Sequence, residues 1–409
     1  MYWVIWKRLT VLMIDMNGNN KRIALVDAFR GFALLGIVLI HFVEHFDFFY
    51  TSEYNFIFSP EMDQKVMDVI IFLVSGKAYS IFAITFGFSF FIQINRKEEI
   101  GIDYRGRYAW RLAILLIMGL IHSLIYRGDI LHIYALMGFP LLLLYKLNNK
   151  VLVAIALLLI MEIPILYHLV LSFIDSSYIF TPDWGGNWFA EAEEVYARGS
   201  FWDVVKINFW KSRYLVYAWT YYTGRAVQLM ALFIIGLLIG RKKYFENISK
   251  YRKQISLILL VSIVNITLLH FAYNLIANSQ LLSELQIGLF STLIKAMSNL
   301  GYTTVIMSIF ILINLAIRKS VFLEYLTTYG RMSLTNYIVQ AVFGVIFFFG
   351  FGFGMWKYLG ATWSLIMGIC FFIIQVVISR YWLTKYLYGP IEWLWRATTN
   401  MDFSLEMRK

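Results

Sequence analysis

An all-α, polytopic membrane bundle is the fold class this sequence predicts, on three observations. Apolar stretches of bilayer length recur along the 409 residues. The loops between them alternate between rich and poor in Lys and Arg. Runs such as residues 151–172 are apolar on every face, which excludes the alternating strands of a β-barrel. Hydrophobic side chains make up 60% of the chain and charged ones only 15%, more than a soluble core uses. A hydrocarbon layer about 30 Å thick takes roughly 20 apolar residues per helix, and backbone groups inside it must bond within the helix.

Ten spans are expected, near residues 29–49, 66–94, 108–126, 131–146, 150–173, 226–240, 254–275, 289–316, 333–350 and 361–382. Basic residues cluster before the first span (Lys7, Arg8, Lys21, Arg22), after the second (Arg96, Lys97, Arg105, Arg107) and between the sixth and seventh (Arg241, Lys242, Lys243, Lys250, Arg252, Lys253). Arg318, Lys319, Arg331, Lys385, Arg396, Arg408 and Lys409 continue the parity. The positive-inside rule then puts both termini in the cytoplasm. The net charge of +11 reads as topology and contact with anionic lipid, not as nucleic-acid binding.

Residues 1–21 read as a cytoplasmic leader without a signal-peptide cleavage site, and Met16 offers a second start. Residues 22–173 and 226–409 form two transmembrane halves of about five spans each. The connection between them, 174–225, carries Trp184, Trp188, Trp202, Trp210 and Trp219, a composition suited to interfacial helices and to a lid over an external cavity. Cys370 stands alone, so neither a disulfide nor a thiolate metal site is expected within one chain. No metal is expected elsewhere: His41 and His45 lack a third ligand, and with His168 and His270 the bland role of a satisfied histidine suits His45.

Ionisable groups inside spans are expensive and normally face a protein interior or a watery cavity. Arg30 and His41 are eleven residues apart, as are Arg111 and His122; at 3.6 residues per turn each pair shares a helix face about 16 Å apart. Both spans therefore carry arginine toward the inside and histidine toward the outside. Such a chain suits a reaction that holds an anion at one end and moves a proton at the other. Snorkelling arginines and structurally satisfied histidines would give the same pattern.

Several ordered motifs resemble a known family. Leu25-Val26-Asp27-Ala28-Phe29-Arg30-Gly31 looks like the opening of transmembrane acyltransferases. Lys77-Ala78-Tyr79-Ser80-Ile81-Phe82 with Phe86-Gly87, Arg111 through Gly119 and His122, and Gly128-Asp129-Ile130-Leu131 with Tyr134 and Gly138 resemble the YeiB family. So do Gly330-Arg331-Met332-Ser333-Leu334-Thr335-Asn336-Tyr337 with Gln340, and Gly389-Pro390-Ile391-Glu392-Trp393-Leu394-Trp395-Arg396. The family is a bacterial, multi-pass, cytoplasmic-membrane group whose carboxyl-terminal half is a domain of unknown function, similar to superfamily members that include heparan-α-glucosaminide N-acetyltransferase.

The resemblance implies acyl transfer from cytoplasmic acyl-CoA to an unidentified extracytoplasmic acceptor, with membrane lipid as the surroundings and a homo-oligomer as an option. No covalently bound cofactor is implied. Arg30, Arg111, Arg331 and Arg396 would hold the donor phosphates. His122, oriented by Asp129, would be the base; His41 is the second candidate, because the family often carries asparagine there. Lys77 or Asn336 would stabilise an oxyanion. Asp129 reads equally as a helix cap, Glu392 as an i,i+4 partner of Arg396, and Trp393 and Trp395 as interfacial anchors. A multi-pass transporter is the alternative, and it would favour internal repeats and broken helices; the sequence carries no convincing repeat.

Overall fold

The computed structural model describes residues 23–49, 58–317 and 320–409. The leader and the basic residues Lys7, Arg8, Lys21, Arg22, Arg318 and Lys319 lie outside the described residues. Seventeen α-helices and no β-strand occur among the described residues: α1 (Ala24–Val43), α2 (Pro60–Val74), α3 (Lys77–Glu98), α4 (Arg105–His122), α5 (Leu131–Leu144), α6 (Asn149–Ile160), α7 (Ile163–Ile174), α8 (Trp188–Arg198), α9 (Phe201–Phe209), α10 (Lys211–Tyr222), α11 (Arg225–Arg241), α12 (Arg252–Ala277), α13 (Glu284–Ala316), α14 (Val321–Arg331), α15 (Ser333–Phe348), α16 (Ala361–Lys385) and α17 (Pro390–Asn400).

Five stretches are long and apolar enough to cross a bilayer, namely α1, residues 60–98, residues 248–277, α13 and α16; three bent pairs raise the number to eight. The remaining two expected spans are helices that fall short of the same criteria. Helix α4 carries Arg105, Arg107 and Arg111, and α5 has only 14 residues. At 1.5 Å per residue α5 is about 21 Å long.

Two expected continuous spans are broken, and a third is preceded by a helix that the apolar periodicity hides. Residues 66–94 are interrupted by Gly76, with φ of 79°. Residues 150–173 bend by 52° at Glu162, a left-handed non-glycine residue. The span expected at 333–350 is preceded by α14, an unanticipated helix turned 79° from α15 at Met332. The pair α10 and α11 bends by 69° at the left-handed Gly224. The Glu162 and Gly224 breaks meet, for the Glu162 carboxylate lies against the Gly224 α-carbon.

Three helices, α8, α9 and α10, occupy the stretch 174–225 where interfacial helices are expected. Ser200 and Asp203 form a capping box at the start of α9. Arg213 donates to the Leu120 carbonyl and Ser123 Oγ at the end of α4, and Asn208 donates to Leu124 O at 3.1 Å. Gly350 N donates to Tyr196 O at 2.8 Å, docking the apolar 350–354 turn onto α8.

Two helix crossings set the spacing of the core, and both are glycine on backbone. A Cβ at Gly31 in α1 would strike the Leu326 carbonyl of α14, and one at Gly330 would strike the Asp27 carbonyl of α1. Gly87 and Gly236 do the same for α3 and α11, against Phe233 O and Ile84 O. Lipid tails supply no hydrophobic drive between helices, so close backbone contact through small residues is what holds such pairs. Phe29, Phe88, Phe233 and Phe310 pack around these crossings as part of the largest buried cluster.

Replacing Gly31 by Leu forces the α1–α14 backbones apart and should cost more than the 1–3 kcal/mol typical of an overpacked side chain. Gly106, with open space around it, is the control. Thermal unfolding of purified protein should find Gly31→Leu strongly destabilised and Gly106→Ala near wild type.

Candidate functional site

Two cavities abut inside the bundle. The larger, about 400 Å³, lies between the ends of α1, α3 and α4, the start of α5 and the helices α10 and α11; the smaller, about 170 Å³, lies between α1, α3, α4, the α14–α15 bend and α17. Ile37, Tyr79, Ile130 and Tyr337 line both, so a partition one side chain thick separates them.

The smaller cavity is lined by Arg30, Arg111, Arg331 and Arg396 together. The glycine crossing of α1 with α14 is what brings Arg30 and Arg331 to the same wall. Arg30 pairs with Asp27 at 3.2 Å and donates to Ser89. Arg111 lies 3.5 Å above the Trp395 ring, while the Trp395 indole donates to the Arg111 carbonyl at 3.0 Å. Arg111 Nε is buried and has no hydrogen-bond partner. Trp395, read from sequence as an interfacial anchor, is therefore part of the cavity wall; Trp393 donates to Leu405 O at 2.9 Å. Glu392 accepts from the backbone N–H groups of Leu334 and Thr335 at 2.7 and 3.1 Å, capping α15.

In the wall of the larger cavity, Asp129 is shared by the imidazoles of His122 and His132, which themselves line neither cavity. His122 Nδ1 is 2.7 Å from Oδ1, and His132 Nδ1 is 2.8 Å from Oδ2. The same Oδ2 accepts from His132 N at 3.2 Å, so Asp129 both caps α5 and orients the histidines. With Nδ1–H committed to the carboxylate, Nε2 keeps the lone pair. Nε2 of His122 and of His132 are both buried and unpartnered. The His122 ring sits 5.5 Å from that of Tyr337 and 6.1 Å from that of Tyr126. His41 lines the larger cavity, 5.2 Å from the Tyr126 ring, with Nδ1 unpartnered.

Lys77 and Asn336 are not in the site. Lys77 Nζ donates to Phe72 O at 2.5 Å and lies near the Phe72 and Tyr302 rings, outside both cavities. A lysine at a helix start turns to the carbonyls that end the previous helix, and α2 ends just before it. Asn336 donates to Tyr329 O at 3.2 Å and Ser379 Oγ at 3.0 Å, and its carbonyl accepts from Gln375, which ties α15 to α16. Its helix face points away from the partition that Tyr337, the next residue, lines. His45 bonds Ser364 at 3.0 Å and His168 bonds Tyr178 at 2.6 Å. Among the described residues no three His, Cys, Asp or Glu side chains are grouped to hold a metal ion.

Sequence reasoning missed the role of His132 and the groups around the larger cavity. Arg127 and Glu193 form an ion pair at 2.7 Å with both side chains 5% exposed. Burial pushes the Glu193 carboxyl above the usual carboxylate range, with Arg127 and the Phe49 N–H pulling the other way. Arg225 is stacked 3.8 Å from Tyr79 and 4.5 Å from Trp219. The Glu-Glu stretch after Trp188 gave a signal for Glu193, but nothing in the sequence pairs it with Arg127, 66 residues away.

This is a helical membrane protein with two apposed internal cavities, each carrying charged side chains in its wall. Residues 239–402 match the family described as "Protein of unknown function (DUF418)". The chain is 27% identical to the uncharacterized protein YxaH of Bacillus subtilis (strain 168), over 94% of this chain and 96% of that one. It is 25% identical to the "Uncharacterized 39.9 kDa protein in amylase 3'region" of Bacillus acidopullulyticus, over 97% and 99%. A shorter match, 33% identical over 70 residues, covers 17% of this chain and 18% of the uncharacterized protein YeiB of Escherichia coli (strain K12). The match over residues 239–402 and these relatives make the chain similar to YeiB-type proteins of unknown function.

Removing one partner of a buried ion pair strands the other. Arg127→Ala should therefore destabilise the protein by about 3–5 kcal/mol, and Arg127→Met with Glu193→Leu should recover most of the loss. Chemical unfolding in detergent measures both.

Proposed function

We propose that the protein is a membrane-embedded acyltransferase that takes an acyl group from cytoplasmic acyl-CoA to an acceptor on the outer side of a bacterial cytoplasmic membrane. The reading uses ten spans, with α4 and α5 crossing inside the bundle, both termini cytoplasmic, and two transmembrane halves joined by the external helices α8 to α10. Short α5 is tolerable there because protein, not lipid, surrounds much of it. The single observation that carries the reading is four guanidinium groups lining one cavity while Asp129, the shared partner of His122 and His132, lines the other, across a partition that includes Tyr79 and Tyr337.

Arginine forks hold the donor phosphates at the inner end, and the acyl thioester reaches the partition. The acceptor X–H attacks the thioester carbonyl carbon from the outer cavity as His122 Nε2 takes its proton. The tetrahedral intermediate collapses with cleavage of the C–S bond, and the thiolate leaves with the proton that His122 returns. Asp129 holds the imidazole in the required tautomer and stabilises its protonated form.

A transporter is the second reading, favoured by the bent pairs and by the meeting of two breaks at Glu162 and Gly224, since discontinuous helices commonly build transport sites. Purified protein in nanodiscs separates the two. Acyl-CoA should bind, and Arg111→Ala and Arg396→Ala should each weaken it about tenfold or more, as for a lost charge-assisted hydrogen bond. His122→Ala should retain binding and lose about 10²–10⁴ in acyl transfer or thioester cleavage. Full turnover in His122→Ala, or no acyl-CoA binding with CoA-independent solute flux in liposomes, overturns the enzyme. External labelling of a cysteine introduced at Lys243 should fail; efficient labelling reverses the topology.

A further inference from the structure

The larger cavity holds charges that do not close on one another. Asp129 is occupied by two histidines, and Glu193 by Arg127 and the Phe49 N–H. Glu44 and Asp47 differ. Both line the cavity, both keep partial exposure there, and among the described residues neither side chain makes a hydrogen bond or an ion pair. The cations of the same cavity are also left open. Arg127 is 6% exposed, yet its Nη1 has no partner; Arg225 Nε is buried and unpartnered. Neither guanidinium lies within 4 Å of the Glu44 or Asp47 carboxylate. Buried donors and acceptors of opposite charge normally find each other, because leaving either unmet costs about 1–3 kcal/mol or more.

The backbone that presents the acids is also strained. His45, Phe46 and Asp47 have φ of 47°, 61° and 65°, three consecutive non-glycine residues in the left-handed region. Such residues cost roughly 1–3 kcal/mol each and persist where their surroundings over-determine them, commonly at ligand sites. Here the restraints are the His45 bond to Ser364 Oγ, 3.0 Å, and the donation from Arg127 to the Asp47 carbonyl. The same guanidinium thus fixes the turn and offers an unused N–H beside it.

We propose that this cavity binds a zwitterion, a primary ammonium held by Glu44 and Asp47 with an anionic carboxylate or phosphate a few bonds away on the open N–H groups of Arg127 and Arg225. A neutral ligand leaves Arg225, the open N–H of Arg127 and the Glu44 and Asp47 carboxylates unmet, and a ligand of one sign leaves the groups of its own sign unmet. The aromatic rings of Trp184 and Trp219 close the remainder of the wall, suiting a ligand whose ammonium is partly desolvated. The chemistry has two sources, a dissolved amino acid or the phosphoethanolamine headgroup of a lipid.

Binding stands without any catalytic assumption; the following step rests on the acyl-transfer reading. His41 is three residues before Glu44 and so shares its helix face. The bound ammonium gives one proton to the carboxylates and becomes a free amine. The amine attacks the thioester carbonyl, its second proton passes to an imidazole, and the C–S bond breaks as the imidazolium returns that proton to the leaving sulfur, giving an amide and a thiol.

Calorimetric titration of the full chain in phosphatidylglycerol nanodiscs, which contain no ammonium, tests this with glycine and phosphoethanolamine. N-acetylglycine, ethanolamine and glycerol are the controls lacking the cation, the anion and both. At least one zwitterion should bind about tenfold or more tightly than every control. Preference for glycine assigns a dissolved ligand, and preference for phosphoethanolamine assigns a headgroup. Glu44→Gln, Asp47→Asn and Arg225→Gln should each weaken that binding about tenfold or more. Asparagine tolerates the left-handed backbone, so Asp47→Asn keeps the turn. No binding by either zwitterion at millimolar concentration, equal binding by a control, or unchanged affinity in all three variants overturns the proposal. Acyl-CoA titrated into the same preparation keeps the two ideas apart: zwitterion binding lost with acyl-CoA binding intact defeats only this one, and the reverse defeats only acyl transfer.

Discussion

Backbone contact between helices, with glycine as the only residue that fits, is the constraint on which the interior depends. In lipid an apolar face gains nothing by leaving one hydrocarbon for another, so helices associate through close packing and internal polar bonds. Gly31 and Gly330 lock α1 to α14, and Gly87 and Gly236 lock α3 to α11. Arg30 is next to Gly31 and Arg331 next to Gly330, so the lock and the guanidinium cluster are one piece of geometry. Phe86 and Phe233 stack 4.6 Å apart beside the second lock, and Phe86 lines the smaller cavity.

From this frame the polar interior divides by degree of satisfaction. Asp129, Asn336, Gln375 and Glu392 spend their bonds on neighbouring elements and set helix ends and spacing. His122, His132, Arg111 and Arg127 each keep a buried nitrogen without a protein partner. Glu162 keeps both carboxylate oxygens so, at the point where two helices break. Of these unsaturated groups Arg111 and Arg127 line the cavities and Glu162 sits at a bend, where a substrate or a moving element can supply the missing bonds.

Legibility in the sequence followed the same division. Helical class and the positions of apolar spans are set by local composition and were readable. The eleven-residue spacing of Arg30 with His41 and of Arg111 with His122 follows helix periodicity, and it located one residue of each cavity on α1 and the same polarity on α4. The break at Glu162 was hidden because Met161 and Ile163 flank it, and those at Gly76 and Met332 because the few polar residues beside them barely lower the mean hydropathy of a long apolar window. Lys77 and Asn336 went elsewhere because their nearest partners, the Phe72 carbonyl and the Ser379 hydroxyl, are matters of tertiary approach. Arg127 and Arg225 sit in loops and helix starts, where a basic residue carries no periodic signature.

Four side chains, Ile37, Tyr79, Ile130 and Tyr337, are all that parts the two cavities. With the proposed topology the two cavities lie toward opposite faces of the membrane, and part of the transmembrane potential falls across this septum. Moving one elementary charge through it would then involve about 2.3 kcal/mol per 100 mV. The two apolar members and the two aromatic rings act as electrical insulation as much as packing. An uncharged acyl group can pass such a barrier at no electrical cost, whereas an ion or a proton is held back by it.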